Sequence, residues 1–529
     1  MTDAWELSPL FDAVAPEAID ELAGQAVSRH YEAGEAVCLA GDPGTSLYLV
    51  ERGLLHVLRP SDNALLVRQR PGHVLGEAAS LTGEPRSATV LARVPSDVIE
   101  LPRDAFLAVA ERHPTLLANL ARVAIQRLVA RTTGRGPGDR RTAAVILEAE
   151  PIHAADVVAA TRAASPNVVR GLDLTGARPR GSQALARLDE ATRLPGTTLL
   201  LVRPGTADLG VLLDYADQVV ALTEPAVAER IADTLRLPRG LVSHVAPNPA
   251  RLSWLGRYLA GTRLGLALGA GGVKGFAHVG ALGVLERAGY VVDRVAGSSM
   301  GAWVAAWLAS GRRAGEIEQI LRSSFDEDAV RAIYREGVVA GERRGASRLE
   351  RLARATTGEA RFEDLAVPLV VLTADLAGRR AAPISSGPVA DALVAGMTVP
   401  GLYPPVRRGE QRLVDAVVLA PVPVRGLDPQ AVDITVAINL LGRETLPAWP
   451  GAQVVPRRHR ADRDVVVESL ELASLSQAER QTALADVPVT PVFGPGTWRD
   501  IHLADHYLRA GEAAMTAALP ALRALAGPA

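Results

Sequence analysis

The chain has 529 residues, too many for one hydrophobic core, so we expect two to four domains. A net charge of −2 gives no overall attraction to nucleic acid, and the single cysteine, Cys38, excludes an intramolecular disulfide and a thiolate metal cluster. The acidic N-terminus does not resemble a signal peptide, and no apolar run is long enough to span a bilayer. We therefore expect a cytoplasmic protein with at most peripheral membrane contact.

The first part of the chain, residues 1–130, has the pattern of a compact β-barrel or β-roll. A short helical segment precedes a series of strand-like segments separated by turn signals, and a helical pattern from Arg103 to Ala130 follows them. The strand-like segments are VSRHY, AVCLA, SLYLVERG, LLHVLR, ALLVRQR, TVLARV and DVIELP.

A candidate anion site lies within this predicted roll, between Gly76 and Val90. A short helix bounded by Gly76 and Gly83 would present backbone N–H groups, Arg86 is a bidentate cation, and Glu77 can accept a hydrogen bond from a hydroxyl. These groups suit a phosphate joined to a sugar. The alternative is an ordinary surface Glu–Arg pair, which contributes little.

The G-E…P-R-S-A-T-V pattern of this segment closely resembles the phosphate-binding cassette of cyclic nucleotide-binding domains. The resemblance implies that Arg86 holds the cyclic phosphate of a regulatory cyclic nucleotide and that Glu77 holds the ribose 2′-hydroxyl. Ser87 does not distinguish cAMP from cGMP. By the same resemblance the nucleotide site comprises Gly76, Glu77, Ala78, Arg86, Ser87 and Ala88.

Residues 131–260 are predicted to form a basic linker and a small α/β domain. The linker reads RTTGRGPGDRR, and strand-like and helical segments alternate after it. This alternation predicts a small parallel sheet. The domain has no G-x-G-x-x-G motif, so dinucleotide binding is not supported, and we interpret it as a connecting or regulatory domain.

The stretch from Leu268 to Leu308 contains the strongest catalytic signal. A Gly-rich turn holds Lys274, the only lysine of the chain, and a helix from about Phe276 follows it. A short strand then leads into Gly297-Ser298-Ser299-Met300-Gly301. This G-x-S-x-G pattern between a strand and a helix predicts a nucleophile elbow with Ser299 at a helix N-terminus.

A serine nucleophile needs a base, and the residues alone leave two arrangements open. The first is a Ser–Asp–His triad, for which the candidate bases after Asp415 are His459, His502 and His506. The second is a dyad in which the Asp415 carboxylate takes the serine proton directly. His278 is interpreted as a packed helix histidine, and Trp303 and Trp307 as core residues.

Residues 262–520 resemble a patatin-like phospholipase domain, and the whole chain resembles bacterial relatives of neuropathy target esterase. The marks are the turn ending Lys274-Gly275, the Gly297-x-Ser299-x-Gly301 motif and Asp415 after PGLYPPV. The resemblance implies a three-layer α/β domain over residues 261–529. It also implies catalysis without metal or cofactor, with Lys274 as a loop cation. The implied catalytic residues are Ser299 as nucleophile, Asp415 as base, and Gly271, Gly272, Val273 and Met300 at the oxyanion hole.

Two features of this domain lead to further expectations. The base is followed by Ala416 where the family usually has glycine, so a turn with positive φ would be strained there. The segment MTVPGLYPPV, residues 397–406, is an apolar, proline-stiffened loop that would either touch a bilayer or pack on the core.

The sequence thus predicts a multidomain α/β serine esterase that hydrolyses phospholipid or lysophospholipid esters under cyclic nucleotide control. The alternative is a cyclic-nucleotide-responsive interaction protein with an inactive hydrolase domain. A transcription regulator is disfavoured because nothing after residue 130 reads as a basic helix-turn-helix, so we expect no nucleic-acid partner. The sequence does not predict the oligomeric state.

Overall fold

The computed structural model describes residues 3–133, 140–147, 152–174, 182–206, 209–235, 242–245, 248, 251–329, 343–400, 402–441, 462–494 and 499–528. Contacts divide the chain into two compact units. The first comprises Met1–Arg162 and Asn167–Ala260, and the second comprises Ala163–Pro166 and Gly261–Ala529. Among the described residues no helix is long and apolar enough to cross a membrane.

The first unit begins with the predicted β-roll, made of two four-stranded antiparallel sheets. The strands are β1 Val27–Tyr31, β2 Ala36–Cys38, β3 Ser46–Arg52, β4 Leu55–Leu58, β5 Leu65–Gln69, β6 Val74–Leu75, β7 Thr89–Ala92 and β8 Ser96–Pro102. One sheet has the order β1-β8-β3-β6 and the other β2-β7-β4-β5. The strand-like segments of the sequence are therefore confirmed, and β6 is an additional short strand.

Five helices flank the roll: α1 Asp3–Leu7, α2 Pro16–Gln25, α3 Glu77–Thr82, α4 Arg103–Arg112 and α5 Pro114–Thr133. The helical pattern from Arg103 is thus two helices with a break at His113, whose φ and ψ are −128° and 78°. Pro114 causes the break, because proline disfavours the helical conformation of the residue before it.

The middle part of the first unit is a five-stranded parallel sheet in the order β10-β11-β9-β12-β13. Its strands are β9 Arg140–Leu147, β10 Val169–Asp173, β11 Gly196–Val202, β12 Gln218–Leu222 and β13 Val242–His244. Its helices are α6 Ala154–Ala164, α7 Ser182–Arg193, α8 Leu209–Asp214, α9 Pro225–Thr234 and α10 Leu252–Ala260. The β11 strand is buried on both faces, as expected for a parallel strand between helix layers.

The roll packs directly on this middle sheet. Leu54 and Val94 of the roll belong to the same apolar cluster as Ala144 and Ile146 of β9. At the edge of this cluster the buried Asp214 carboxylate binds Arg93 Nε at 2.5 Å and Arg68 Nη2 at 3.4 Å. One apolar cluster and an ion-pair cluster therefore join the roll to the middle sheet.

The second unit is organised around an eight-stranded mixed sheet. Its strands are β14 Leu264–Leu268, β15 Val292–Ser298, β16 Leu369–Asp375, β17 Arg380–Ile384, β18 Val406–Arg408, β19 Gln411–Asp415, β20 Ile434–Ile438 and β21 Val487–Val489. The order is β18-β19-β16-β15-β14-β20-β21, with β17 paired to β16. Five neighbouring strands of this sheet are parallel: β16, β15, β14, β20 and β21. The antiparallel edge consists of β17, β18 and β19.

Helices lie on both sides of this sheet, which confirms the predicted three-layer α/β domain. They are α11 Phe276–Arg287, α12 Met300–Ala309, α13 Ala314–Ser324, α14 Arg343–Thr357, α15 Val389–Met397, α16 Asp462–Thr482 and α17 Ala504–Leu525. Along β14, Leu266 and Leu268 face one apolar cluster while Ala267 faces another. This alternation places a hydrophobic core on each face of the sheet.

Candidate active site and nucleotide site

Ser299 lies at a sharp turn between the central strand β15 and helix α12. Its φ of 54° and ψ of −127° are unusual for a residue with a side chain. A Cβ atom at Gly297 would lie 2.3 Å from Ala302 Cα, and one at Gly301 would lie 2.2 Å from the Leu268 carbonyl oxygen. Both glycines are therefore required by close backbone contacts, and the strain is held at Ser299, as in a nucleophile elbow.

Asp415 ends strand β19 and is fully buried in the same domain. Its Oδ1 accepts a hydrogen bond of 2.8 Å from the Val417 N–H, while its buried Oδ2 has no hydrogen-bond partner among the described residues. Burial raises the pKa of the carboxyl to about 7, against smaller lowering effects of the Ser299 hydroxyl and the Val417 N–H. The carboxyl can therefore exchange a proton near neutral pH.

The structure brings Ser299 and Asp415 together, although they are far apart in the sequence. The Ser299 hydroxyl interacts with the carboxyl closely enough to lower its pKa. In the rotamer of the structure, however, Ser299 Oγ lies 3.8 Å from Met397 Sδ. The sequence interpretation did not identify Met397 as a neighbour of the nucleophile, and no local pattern around it marks that contact.

The Gly-rich turn lies against the elbow. Gly272 has a φ of 55°, and residues Gly272–Gly275 form one short 3-10 turn that leads into α11. A Cβ atom at Gly275 would lie 2.5 Å from Met300 Cγ, so the turn packs on the residue after the nucleophile. The N–H groups of Gly272 and Val273 lie at the start of the turn. At a helix N-terminus, no earlier carbonyl of the helix can accept hydrogen bonds from such N–H groups. This arrangement suits the predicted oxyanion hole of Gly271, Gly272, Val273 and Met300.

Two side chains of the turn region are buried. His278 on α11 has no exposed surface, and its Nε2 lies 2.8 Å from the Gly269 carbonyl oxygen. Lys274 is 8% exposed, and its Nζ lies 5.0 Å from the centre of the Phe493 ring. The interpretation of His278 as a packed helix residue is confirmed. Trp303 and Trp307 are also core residues, fully buried and in an edge-to-face contact.

In the described part of the chain, His502 and His506 make no hydrogen bond or ion pair with Ser299 or Asp415. His459 lies outside the described residues. His502 is exposed, and His506 Nε2 lies 2.7 Å from the Phe493 carbonyl oxygen. The described histidines therefore do not join the serine–aspartate pair, and the choice between a dyad and a triad stays a prediction.

The expectation of strain at Ala416 is wrong. Residues Ala416–Val418 form a 3-10 turn that is capped by the Asp415 carboxylate, and Ala416 does not have a positive φ. A Cβ is sterically acceptable in this conformation, so the replacement of the usual glycine costs no backbone strain.

The nucleotide cradle of the first unit has the predicted shape. Helix α3 is bounded by Gly76 and Gly83, whose φ values are 85° and 76°. Arg86 is buried; its Nη2 donates to the Ser46 carbonyl oxygen at 2.5 Å, and its Nε and Nη1 have no partner among the described residues. A Cβ at Gly76 would lie 2.1 Å from Arg86 Nη1, so Gly76 must be glycine for the guanidinium to lie there.

The remaining predicted nucleotide-site residues lie on the same segment of the chain. Glu77 and Ala88 are half-buried, whereas Ala78 and Ser87 are exposed. Buried, unsatisfied guanidinium donors are costly, so Arg86 is prepared to receive an anion. No group of three or more acidic, histidine or cysteine side chains suited to a metal ion is found among the described residues.

Two family models match the chain. A model described as "Patatin-like phospholipase" matches residues 266–428, and one described as "Cyclic nucleotide-binding domain" matches residues 28–113. The first range contains Ser299 and Asp415, and the second contains the Gly76–Ala88 cradle.

Three relatives are similar to the chain over different lengths. An uncharacterized NTE family protein of Mycobacterium tuberculosis is 26% identical over 484 residues, covering 85% of this chain and 81% of the relative. Lysophospholipase nte1 of Emericella nidulans is 29% identical over 249 residues, covering 45% of this chain and 15% of that protein. The cyclic AMP receptor protein of Thermus thermophilus is 33% identical over 124 residues, covering 23% of this chain and 57% of that protein.

The chain therefore combines an N-terminal cyclic nucleotide-binding domain with a patatin-like phospholipase domain, and it has homologues in the NTE family. These similarities support a lipid-hydrolase domain in the second unit and a cyclic nucleotide-binding fold in the first.

Proposed function

We propose that this protein hydrolyses acyl esters of phospholipids or lysophospholipids through an acyl-Ser299 intermediate, with Asp415 as the general base. The observation that carries the proposal is a buried carboxyl with a pKa of about 7 beside a serine on a strained elbow. A base whose pKa lies near the working pH transfers protons efficiently in both directions. The name of the Emericella nidulans relative agrees with the proposed lysophospholipid substrate.

The first half of the reaction forms the acyl-enzyme. Rotation of the Ser299 hydroxyl away from Met397 would direct its proton to Asp415 Oδ2, the carboxyl oxygen that lacks a donor. Oγ then attacks the ester carbonyl carbon while Asp415 takes the proton. The tetrahedral oxyanion is stabilised by N–H groups of the Gly271–Val273 turn and Met300; one such donor contributes about 3–4 kcal/mol.

The first half ends when the tetrahedral intermediate collapses to the acyl-enzyme and Asp415 returns its proton to the leaving alcohol of the glycerol backbone. The second half releases the fatty acid. The ionised carboxylate then takes a proton from water, which attacks the acyl carbonyl, and Ser299 regains its proton as the carboxylic acid leaves. Lys274 lies in the adjoining turn and would hold that turn or meet the substrate phosphate.

We further propose that cAMP or cGMP is a regulatory ligand of the first unit. Its phosphate would occupy the unsatisfied Nε and Nη1 donors of Arg86, and Glu77 would accept the ribose hydroxyl. A ligand shifts activity only when it binds two conformations differently, so regulation requires the nucleotide-bound and free enzyme to differ in conformation.

A fluorophosphonate probe tests the catalytic proposal directly, because such probes react with activated serines. We expect labelling of the full chain at Ser299, loss of labelling in Ser299→Ala, and normal labelling in the matched control Ser323→Ala on the exposed end of α13. An unlabelled wild type would instead support the alternative, a nucleotide-responsive protein with an inactive hydrolase domain.

A further inference from the structure

A cluster of exposed arginines lies on the antiparallel edge of the second unit's sheet. It occupies two hairpins, one formed by β16 and β17 and the other by β18 and β19. We call it the basic hairpin surface, and it consists of Arg379, Arg380, Arg407, Arg408 and Arg412, all exposed.

The arrangement of these arginines is electrostatically unfavourable in the protein alone. Arg407 and Arg412 are directly opposite each other in the antiparallel register of β18 and β19. Like charges directly opposite in a sheet are destabilising. Neither guanidinium has an ion pair with a carboxylate of the described residues, unlike the exposed Arg287, which binds Glu512 at 3.1 Å.

The acids near this surface offset its charge only in part. Asp375 lies opposite Arg380 and its carboxylate attracts that guanidinium, while its Oδ1 also accepts the N–H groups of Ala377 and Arg412. Glu410 is exposed in the turn between β18 and β19. Asp375 and Glu410 together offset at most two of the five arginine charges, so the surface keeps a positive excess.

The surface also has an apolar component and lies near the catalytic base. Leu376 is 45% exposed, and its N–H donates to the Arg412 carbonyl oxygen at 2.9 Å. Arg412 precedes Asp415 by three residues on β19, about 10 Å along a strand. An apolar side chain among arginines suits the headgroup region of a bilayer, where cations bind phosphates and apolar groups enter the interface.

The apolar loop of residues 397–406, for which the sequence left bilayer contact open, does not form this surface. Leu402 and Tyr403 are buried in a cluster with Leu349, so the described part of the loop packs on the core. The loop leads directly into β18, which carries Arg407 and Arg408. Membrane contact is therefore assigned to the strand after the loop.

We propose that the basic hairpin surface docks the enzyme on an anionic phospholipid bilayer. The inference rests on the proposed lipid-hydrolase function, since it names the surface from which the substrate would be taken. Charge complementarity selects anionic lipid, because the chain as a whole has a net charge of −2 and would not be attracted without a local positive surface.

Vesicle cosedimentation tests this proposal without requiring hydrolysis. The full chain would carry Ser299→Ala throughout, and binding would be compared on phosphatidylcholine vesicles with and without phosphatidylglycerol. We expect binding to the anionic vesicles only, and Arg407→Gln/Arg412→Gln should weaken it about 30-fold. The control Arg287→Gln/Arg361→Gln removes the same charge from ion-paired, exposed positions and should retain binding.

Several results would overturn the proposal. They are no preference for anionic vesicles, equal binding by Arg407→Gln/Arg412→Gln and the wild type, or equal weakening by the control pair. Release by inorganic phosphate at constant ionic strength would indicate a free-phosphate site instead and would also reject bilayer docking. With Ser299 intact, the Arg407/Arg412 variant should hydrolyse a soluble monomeric ester normally, so failure of docking is distinguishable from failure of catalysis.

Discussion

The Nε2 atom of His278 lies 2.8 Å from the carbonyl oxygen of Gly269. This hydrogen bond connects helix α11 to the start of the Gly-rich turn. Burial lowers the pKa of His278 to about 4, so the imidazole is neutral near pH 7. Since a carbonyl only accepts, Nε2 must carry the proton and donate it. His278 is therefore a positioning residue for the proposed oxyanion hole.

Replacing His278 should impair catalysis more than substrate binding. The loss of this buried hydrogen bond costs about 1–3 kcal/mol. If the turn shifts as a result, we expect kcat on a soluble ester to fall about tenfold to a hundredfold in His278→Ala, with little change in KM. His278→Gln, which keeps a donor, should recover part of kcat.

The control for this prediction is Val284→Ala, a cavity variant on the same helix. It should lower stability with little change in kcat. Equal loss of kcat in the two variants would mean that His278 only supports the fold.

The pH dependence of activity should report Asp415. Burial raises the pKa of this carboxyl to about 7, and only the ionised form can take the Ser299 proton. We therefore expect kcat/KM to rise about tenfold per pH unit below 7 and to level off above it. An acidic limb near pH 4 would show that another group, or an unperturbed carboxylate, controls the reaction.

The raised pKa of Asp415 also predicts how the folding stability changes with pH. Between the ordinary pKa of 3.8 and about 7, the folded protein binds a proton at Asp415 that the unfolded chain does not. The contribution of this group to folding stability is therefore lost as pH rises through that window. Asp415→Asn should be more stable than the wild type near pH 8, as measured by urea denaturation, while losing esterase activity. A less stable Asp415→Asn at that pH would contradict the assigned burial cost.

Arg86 should control nucleotide binding. Wild-type protein with cAMP or cGMP at a hundredfold excess over Kd should gain about 2.7 kcal/mol in stability, seen as a higher Tm. Arg86→Gln should lose this gain, whereas Arg112→Gln, which removes an exposed arginine paired with Glu21, should keep it. Unchanged stabilisation of Arg86→Gln would place the nucleotide elsewhere.

The ion-pair cluster between the roll and the middle sheet should be important for stability. Asp214→Ala would leave the half-buried Arg68 without its carboxylate, and we expect a loss of about 1–3 kcal/mol in urea denaturation. Asp62→Ala, which removes an exposed partner of Arg59, should change stability by less than about 0.5 kcal/mol. Similar effects of the two substitutions would show that the Asp214 cluster contributes little.

Regular patterns in the sequence predicted most of the fold, and short or interrupted elements were missed. Strands such as β3 and β8 have enough apolar residues to be recognised, whereas β6 has two residues and β21 contains Pro488. Very short strands have no measurable alternation, and proline argues against a strand. Their presence depends on partners that are distant in the sequence.

The catalytic motifs were recognisable because their chemistry requires a local backbone shape. Gly297 and Gly301 reveal the elbow, and Gly76 and Gly83 reveal the phosphate cradle. The contact of Met397 with Ser299 joins residues 98 positions apart and has no such local signature. The assignment of roles to Ser299 and Asp415, and of domain boundaries near residues 130 and 260, stays a prediction.

Hydrolysis of lysophosphatidylcholine by the full chain tests the central claim most directly. Fatty acid release should be measured for wild type, Ser299→Ala, Asp415→Asn and the control Ser323→Ala. We predict release by the wild type and Ser323→Ala, and a loss of at least about a thousandfold in the other two variants, because nucleophile and base act as a unit. Equal release by Ser299→Ala and wild type would contradict the account.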